Sequence, residues 1–144
     1  MKKKFLPGDS VEISSKEVGF MGSYYEAIIV EPVVGNKNKY LVEYLTLITD
    51  DQKRYLREIV DATEIRPSPP KIPVSDFNIL DQVDVFDNDG WWVGRITGRD
   101  LVNFYVYFDR STGETLRYRF PQLRVHQEWE NGKWVPSQKA EIYK

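Results

Sequence analysis

Gly22-Ser23-Tyr24-Tyr25-Glu26-Ala27-Ile28-Ile29 and Asp89-Gly90-Trp91-Trp92-Val93-Gly94-Arg95-Ile96 decide the reading of this 144-residue chain. Each passes from a turn into an aromatic pair and then into an apolar, β-branched run, which favours a strand. Working outward, the same neighbours flank both. Asp9-Ser10-Val11-Glu12-Ile13 precedes the first as Asp81-Gln82-Val83-Asp84-Val85 precedes the second. Lys39–Tyr44 matches Asn103–Phe108, Leu56-Arg57-Glu58 matches Leu116-Arg117-Tyr118, and Ile65-Arg66 matches Leu123-Arg124. The offsets shrink from 72 to 67, 64, 60 and 58 residues. Constant order with shrinking offsets means one strand plan whose second copy has shorter loops.

The copies meet at Arg66-Pro67-Ser68-Pro69-Pro70-Lys71-Ile72-Pro73, where four of the eight prolines fall within seven residues. Proline fixes φ and lacks an N–H, so this run is neither helix nor central strand. It reads as an extended, semi-rigid linker between residues 1–70 and 71–144. Each copy holds about five short segments with period-two alternation, separated by turn material such as Gly35-Asn36 and Gly98-Arg99-Asp100. Arg54–Val60 reads as strand or as a helical turn. Five strands in so short a copy predict a small, strongly bent barrel that hides its edges. A unit that small is marginal alone, so the expectation is two barrels packed side by side.

Composition narrows the chemistry. Charged residues are 29%, with 20 Lys and Arg against 22 Asp and Glu, so a strongly basic nucleic-acid glue is not indicated. The absence of Cys and the single His126 remove thiol nucleophiles, disulfides, Cys-ligated zinc and His-rich metal sites. Asp84-Val85-Phe86-Asp87-Asn88-Asp89 is acidic but lacks the downstream bidentate Glu of an EF-hand loop. No metal and no cofactor are expected. No nucleophile elbow, Walker motif or zincin motif occurs, so no enzyme is expected. No apolar stretch approaches the ~18 residues of a membrane helix, and the Lys2–Lys4 run is followed by no apolar leader. A cytosolic or nuclear protein is expected. The outstanding number is 14% aromatic residues.

Phe20-x-Gly22-Ser23-Tyr24-Tyr25-x-Ala27, Tyr40-x-Val42-x-Tyr44, Thr49-Asp50-Asp51, Leu56-Arg57-Glu58 and Ile65-Arg66-Pro67-x-Pro69-Pro70 together resemble the Agenet domain of plants. The second copy keeps the order but has Trp91-Trp92 for the tyrosine pair, Asp109-Arg110 for the double Asp, and no Pro-Pro ending. The resemblance implies a tandem of two five-stranded Tudor-like (SH3-like) barrels. It also implies a nuclear, heterochromatic reader of the histone H3 tail dimethylated at its lysine nine. The fragile-X proteins carry a related tandem, which keeps an RNA-binding or protein–protein adaptor as the alternative.

A methylated ammonium keeps its charge and loses hydrogen-bond donors, so aromatic faces suit it, at ~0.5–2 kcal/mol for each good ring contact. A nearby carboxylate adds Coulomb attraction. In the first copy Tyr25 begins one strand, Tyr44 ends another and Phe20 lies on the loop five residues before Tyr25. Tyr24 is the alternative wall, since alternation turns one of Tyr24 and Tyr25 inward. Asp50 and Asp51 are the candidate anions. In the second copy Phe86, Trp91, Trp92 and Phe108 take the matching places. They form either a second cage or a packing surface, with Asp84, Asp87, Asp89 and Asp109 as tail contacts. The nucleic-acid alternative rests on Arg95, Arg99, Arg110, Arg117, Arg119 and Arg124 interleaved with aromatics that can stack bases.

Overall fold

The computed structural model describes residues 5–15, 17 and 20–137. These group into two compact units, described one at a time. The first holds residues 5–15 and Tyr24–Ser68; the second holds residues 69–137 together with 17 and 20–23.

In the first unit the strands are β1 (Ser10–Ser14), β2 (Ser23–Pro32), β3 (Lys39–Ile48), β4 (Tyr55–Asp61) and β5 (Ile65–Pro67), with a 3-10 turn, Ala62–Glu64, before the last. All pairs are antiparallel, in the order β5-β1-β2-β3-β4. The Arg54–Val60 ambiguity thus resolves as strand. The second unit repeats the plan with β6 (Gln82–Asp87), β7 (Gly90–Arg99), β8 (Phe104–Tyr107), β9 (Thr115–Tyr118) and β10 (Leu123–Val125), ordered β10-β6-β7-β8-β9. A hairpin of β11 (Gln127–Glu130) and β12 (Lys133–Pro136) follows, turning at Asn131-Gly132 and pairing Trp129 with Trp134. The all-β, tandem five-strand architecture is as expected. Closure of either barrel by a ladder is not seen: among the described residues β4 and β5, like β9 and β10, are joined by a 3-10 turn.

Alternation along each strand puts the same positions inside in both units. Val11, Ile13, Ile29, Tyr40, Val42, Tyr44, Val60 and Ile65 form the first core; Val83, Val85, Ile96, Phe104, Val106, Phe108, Tyr118 and Leu123 stand in the second. Both β2 and β7 carry a bulge at the matching residue, Val30 and Thr97, which bends the strand around the core. An edge-to-face pair also recurs: Phe5 on Tyr40 at 5.6 Å and Phe77 on Phe104 at 6.0 Å. Ladder register corrects one part of the sequence alignment. Tyr40 faces Val60 and Phe104 faces Tyr118, so Tyr118 corresponds to Val60 and Leu116 to Glu58.

The outer faces of β1 and β6 each carry a buried charge. Arg66 donates to Glu12 from Nε and Nη2, at 3.1 and 2.8 Å, and its guanidinium lies 3.4 Å from the centroid of the Tyr24 ring. In the second unit Arg124 Nε donates to Asp84 at 2.8 Å and stacks 4.0 Å from the centroid of Trp91. Glu12 is 1% exposed. A planar guanidinium can hydrogen-bond a carboxylate at its edge and stack on a ring with its face. Removing one partner strands a charge. Glu12→Ala is therefore expected to destabilise the first unit by about 3–5 kcal/mol in urea titrations. The double change Glu12→Leu/Arg66→Met is expected to recover most of that loss.

Candidate functional site

The second unit holds a cavity of about 90 Å³, lined by Trp92, Phe108, Tyr118, Leu116, Asp87, Asn88, Ser111, Thr112 and Glu114. Three rings arrive by simple rules. Trp92 is an inward position of β7, Phe108 follows β8 on the inward parity, and Tyr118 ends β9 opposite Phe104. Phe108 and Tyr118 meet edge to face at 5.9 Å. Asp87 ends β6 and braces two of the rings. Its Oδ2 accepts the Tyr118 hydroxyl at 2.7 Å and its carbonyl accepts Trp92 Nε1–H at 2.8 Å. Its Oδ1 accepts the Asn88 amide at 2.8 Å, in a turn where Asn88 and Asp89 both have positive φ. Burial, the Asp87 hydrogen bond and the charges of Asp87 and Glu114 push the Tyr118 phenol up, so it stays protonated and donating.

These features fix what fits. About three waters fill such a volume at ~30 Å³ each, so it takes a head group of a few heavy atoms. The walls carry the carboxylates of Asp87 and Glu114 and no Lys or Arg, so they favour a cation. Aromatic faces reward a cation that sheds its water easily.

The equivalent place in the first unit is built differently. Tyr25 packs against the core and Tyr44 is buried, donating its hydroxyl to Glu58 at 2.5 Å. Burial, that bond, and the charges of Glu58 and Glu64 push the Tyr44 phenol up. Val60 stands where the second unit has Tyr118, leaving two rings.

The remaining candidates disperse. Phe20 groups with the second unit, its ring 5.8 Å from Trp92. Tyr24 and Trp91 are the stacking platforms for Arg66 and Arg124, and Phe86 packs on Trp91 at 5.1 Å. Asp51 caps its own turn, accepting from Thr49 Oγ1 at 2.5 Å and the Lys53 amide at 3.1 Å, which hold its carboxyl low; Asp50 is exposed beside it. Asp84 is buried on the outer face of β6, where Arg124 and His126 cover it. Asp89 and Asp109 are exposed, in the turns after β6 and β8. Sequence reasoning missed Tyr118 as a wall because it paired that residue with Glu58. The signal lay in parity with Phe104.

The Agenet domain profile matches residues 8–70. The crystal structure of Arabidopsis thaliana AGDP1 AGD34 is similar to this chain at 40% identity and a TM-score of 0.83, covering 92% of this chain and 90% of that one. The chain belongs to the Agenet family. A second crystal structure, ADCP1 tandem Agenet domain 3-4, superposes at a TM-score of 0.80 with 36% identity, over 92% of this chain and 89% of the other. Among curated Arabidopsis thaliana proteins, AGENET DOMAIN (AGD)-CONTAINING P1 is 40% identical over 97% of this chain, and DUF724 domain-containing protein 6 is 36% identical over 94%. The chain spans 27% and 20% of their respective lengths. It is a tandem Agenet module, of a family of protein- and peptide-binding domains.

Several arginines offered for phosphate contact are used inside this tandem. Arg95 donates to the Leu80 carbonyl at 2.7 Å, Arg99 binds Asp76, Arg110 sits 3.6 Å from Glu128, and Arg124 holds Asp84. The second Agenet unit adds a buried histidine to that last pair. His126 Nδ1 lies 2.6 Å from Asp84 Oδ1 and its Nε2 meets Glu128. Burial pulls the imidazole down, but the bonds and charges of Asp84 and Glu128 outweigh it and hold the value above the ordinary 6.5. Arg124 faces Asp84 and Arg110 faces Glu128, which tempers that pull. A raised folded value means the stabilisation is complete below 6.5 and drains away as pH rises through the folded value. Thermal stability of the wild type is expected to fall from near-neutral into alkaline pH. His126→Gln is expected to lose that component of the slope.

Proposed function

We propose that this tandem Agenet module reads a methylated lysine on the histone H3 tail, and that the Trp92–Phe108–Tyr118 pocket holds the methylammonium. The observation that carries the reading is three rings and two carboxylates around a cavity of about 90 Å³. A methylammonium has the size, the positive charge and the weak hydration that such walls reward. Asp87 keeps lone pairs to spare beside its bonds to Tyr118 and Asn88, so it can accept the single N–H of a dimethylated lysine. Family membership supports a peptide as the partner, and the resemblance in sequence to heterochromatin proteins supports H3 lysine nine and a nuclear location. The internal use of Arg95, Arg99, Arg110 and Arg124 gives the nucleic-acid alternative less to stand on.

Calorimetric titration tests this with H3 peptides unmodified and mono-, di- and trimethylated at lysine nine. Methylated peptides are expected to bind more tightly than the unmodified one. Trp92→Ala and Tyr118→Ala are each expected to weaken the methylated peptide, by roughly 2- to 30-fold for one lost ring contact. An uncharged tert-butyl isostere of the methyl-lysine is expected to bind poorly, because it keeps shape and loses charge. Affinity is expected to fall gently with salt, unlike the steep loss of phosphate binding. Equal affinity for all four peptides overturns the reading.

A further inference from the structure

We propose that residues 20–23 act as a strap that positions the walls of the Trp92 pocket, with Phe20 as the positioning residue for ligand affinity. The inference rests on the reading of that pocket as the methylammonium site. By sequence these residues belong to the first repeat, in the connection leading into β2. They nevertheless group with the second unit.

Three contacts make the strap. Phe20 sets its ring 5.8 Å from that of Trp92, tilted by 40°. The Gly22 carbonyl accepts the Val93 amide at 2.9 Å, one residue beyond Trp92. Gly22 has φ +80°, and a Cβ there would stand 2.9 Å from Arg110 Cβ, so the Arg110 stem lies directly against the glycine. Arg110 leads into Ser111 and Thr112 of the pocket wall. The strap therefore touches one wall ring, Trp92, and two residues, Val93 and Arg110, next in sequence to lining residues. It also holds its own shape: the Phe20 carbonyl accepts from Ser23 Oγ at 2.6 Å and from the Ser23 amide at 3.2 Å.

Phe20 is 44% exposed, so its ring is not there to fill a core. Its work is mechanical. The Trp92 indole has one hydrogen bond, from Nε1 to the Asp87 carbonyl, and a single bond leaves the ring a pivot. A second ring against it removes that freedom. Binding sites depend on rings held in place before the ligand arrives.

The test uses the full chain, the lysine-nine-dimethylated and unmodified H3 peptides, and the indole N–H resonance of Trp92. Phe20→Ala is expected to weaken the dimethylated peptide by about three- to tenfold, the cost of ordering one wall ring on binding. Binding of the unmodified peptide and the unfolding temperature are expected to hold, while the Trp92 indole resonance shifts or broadens. Phe20→Leu is expected to recover part of the affinity, and Met21→Ala, an exposed neighbour, to bind as wild type. Wild-type affinity in Phe20→Ala, or an equal loss for both peptides with the indole resonance unmoved, overturns the proposal. If Trp92→Ala loses binding while Phe20→Ala keeps it, the strap fails and the pocket stands. If Trp92→Ala also binds as wild type, the pocket reading itself fails.

Discussion

A carboxylate buried on the outer face of the first strand of each unit, gripped by an arginine directly across the ladder, is the constraint on which both units depend. Glu12 stands opposite Arg66 and Asp84 opposite Arg124. Val11 and Ile13, on either side of Glu12, point into the core. A one-residue slip of β1 would drive the carboxylate inside and both apolar side chains outside. The pair thus ties register to charge. Desolvation makes such a pair a poor source of net stability, so its value is better sought in fixing one pairing over its neighbours. Tyr24 and Trp91 belong to this device. Each gives the guanidinium a flat surface.

With register fixed, a few substitutions at equivalent inward positions separate the two units chemically. Tyr25 becomes Trp92, Tyr44 becomes Phe108 and Val60 becomes Tyr118. In the first unit the hydroxyl of Tyr44 turns to Glu58, so a buried phenol and a carboxylate satisfy each other. In the second, Phe108 has no hydroxyl to satisfy, and Tyr118 reaches instead to Asp87 at the end of β6. The carboxylate then lies beside the rings and a cavity opens among them. Ala27 of the first unit is matched by Gly94, where any Cβ would meet Val106 Cγ1 at 2.4 Å. The second core is packed to its limit beneath the pocket.

Much of this was legible in the sequence. The repeat, the succession of five strands in each copy and the all-β class follow from turn spacing and alternation. Alternation alone cannot say which of two adjacent rings lines a cavity, and at Trp91 the answer came from Arg124, about thirty residues downstream and adjacent only through the ladder. Asp84 read as a surface acid because its burial depends on Arg124 and His126, which lie some forty residues away. Tyr118 escaped because a local match to Leu56-Arg57-Glu58 outweighed the ladder register, which sets Tyr118 opposite Phe104 as Val60 stands opposite Tyr40.

The asymmetry of the connections carries the last step. Between β6 and β7 stand only Asn88 and Asp89, a two-residue turn with both φ positive. Between β1 and β2 the chain spends residues 15–22, and the repeat offset falls there from 72 to 67. A tight hairpin needs none of that added length, and a long loop costs conformational entropy unless it gains contacts. Phe20 and Gly22 gain them on Trp92, Val93 and Arg110. The first repeat's longer loop thus supplies parts to the second repeat's pocket. Cutting the chain at its proline-rich linker would therefore separate Trp92 from Phe20.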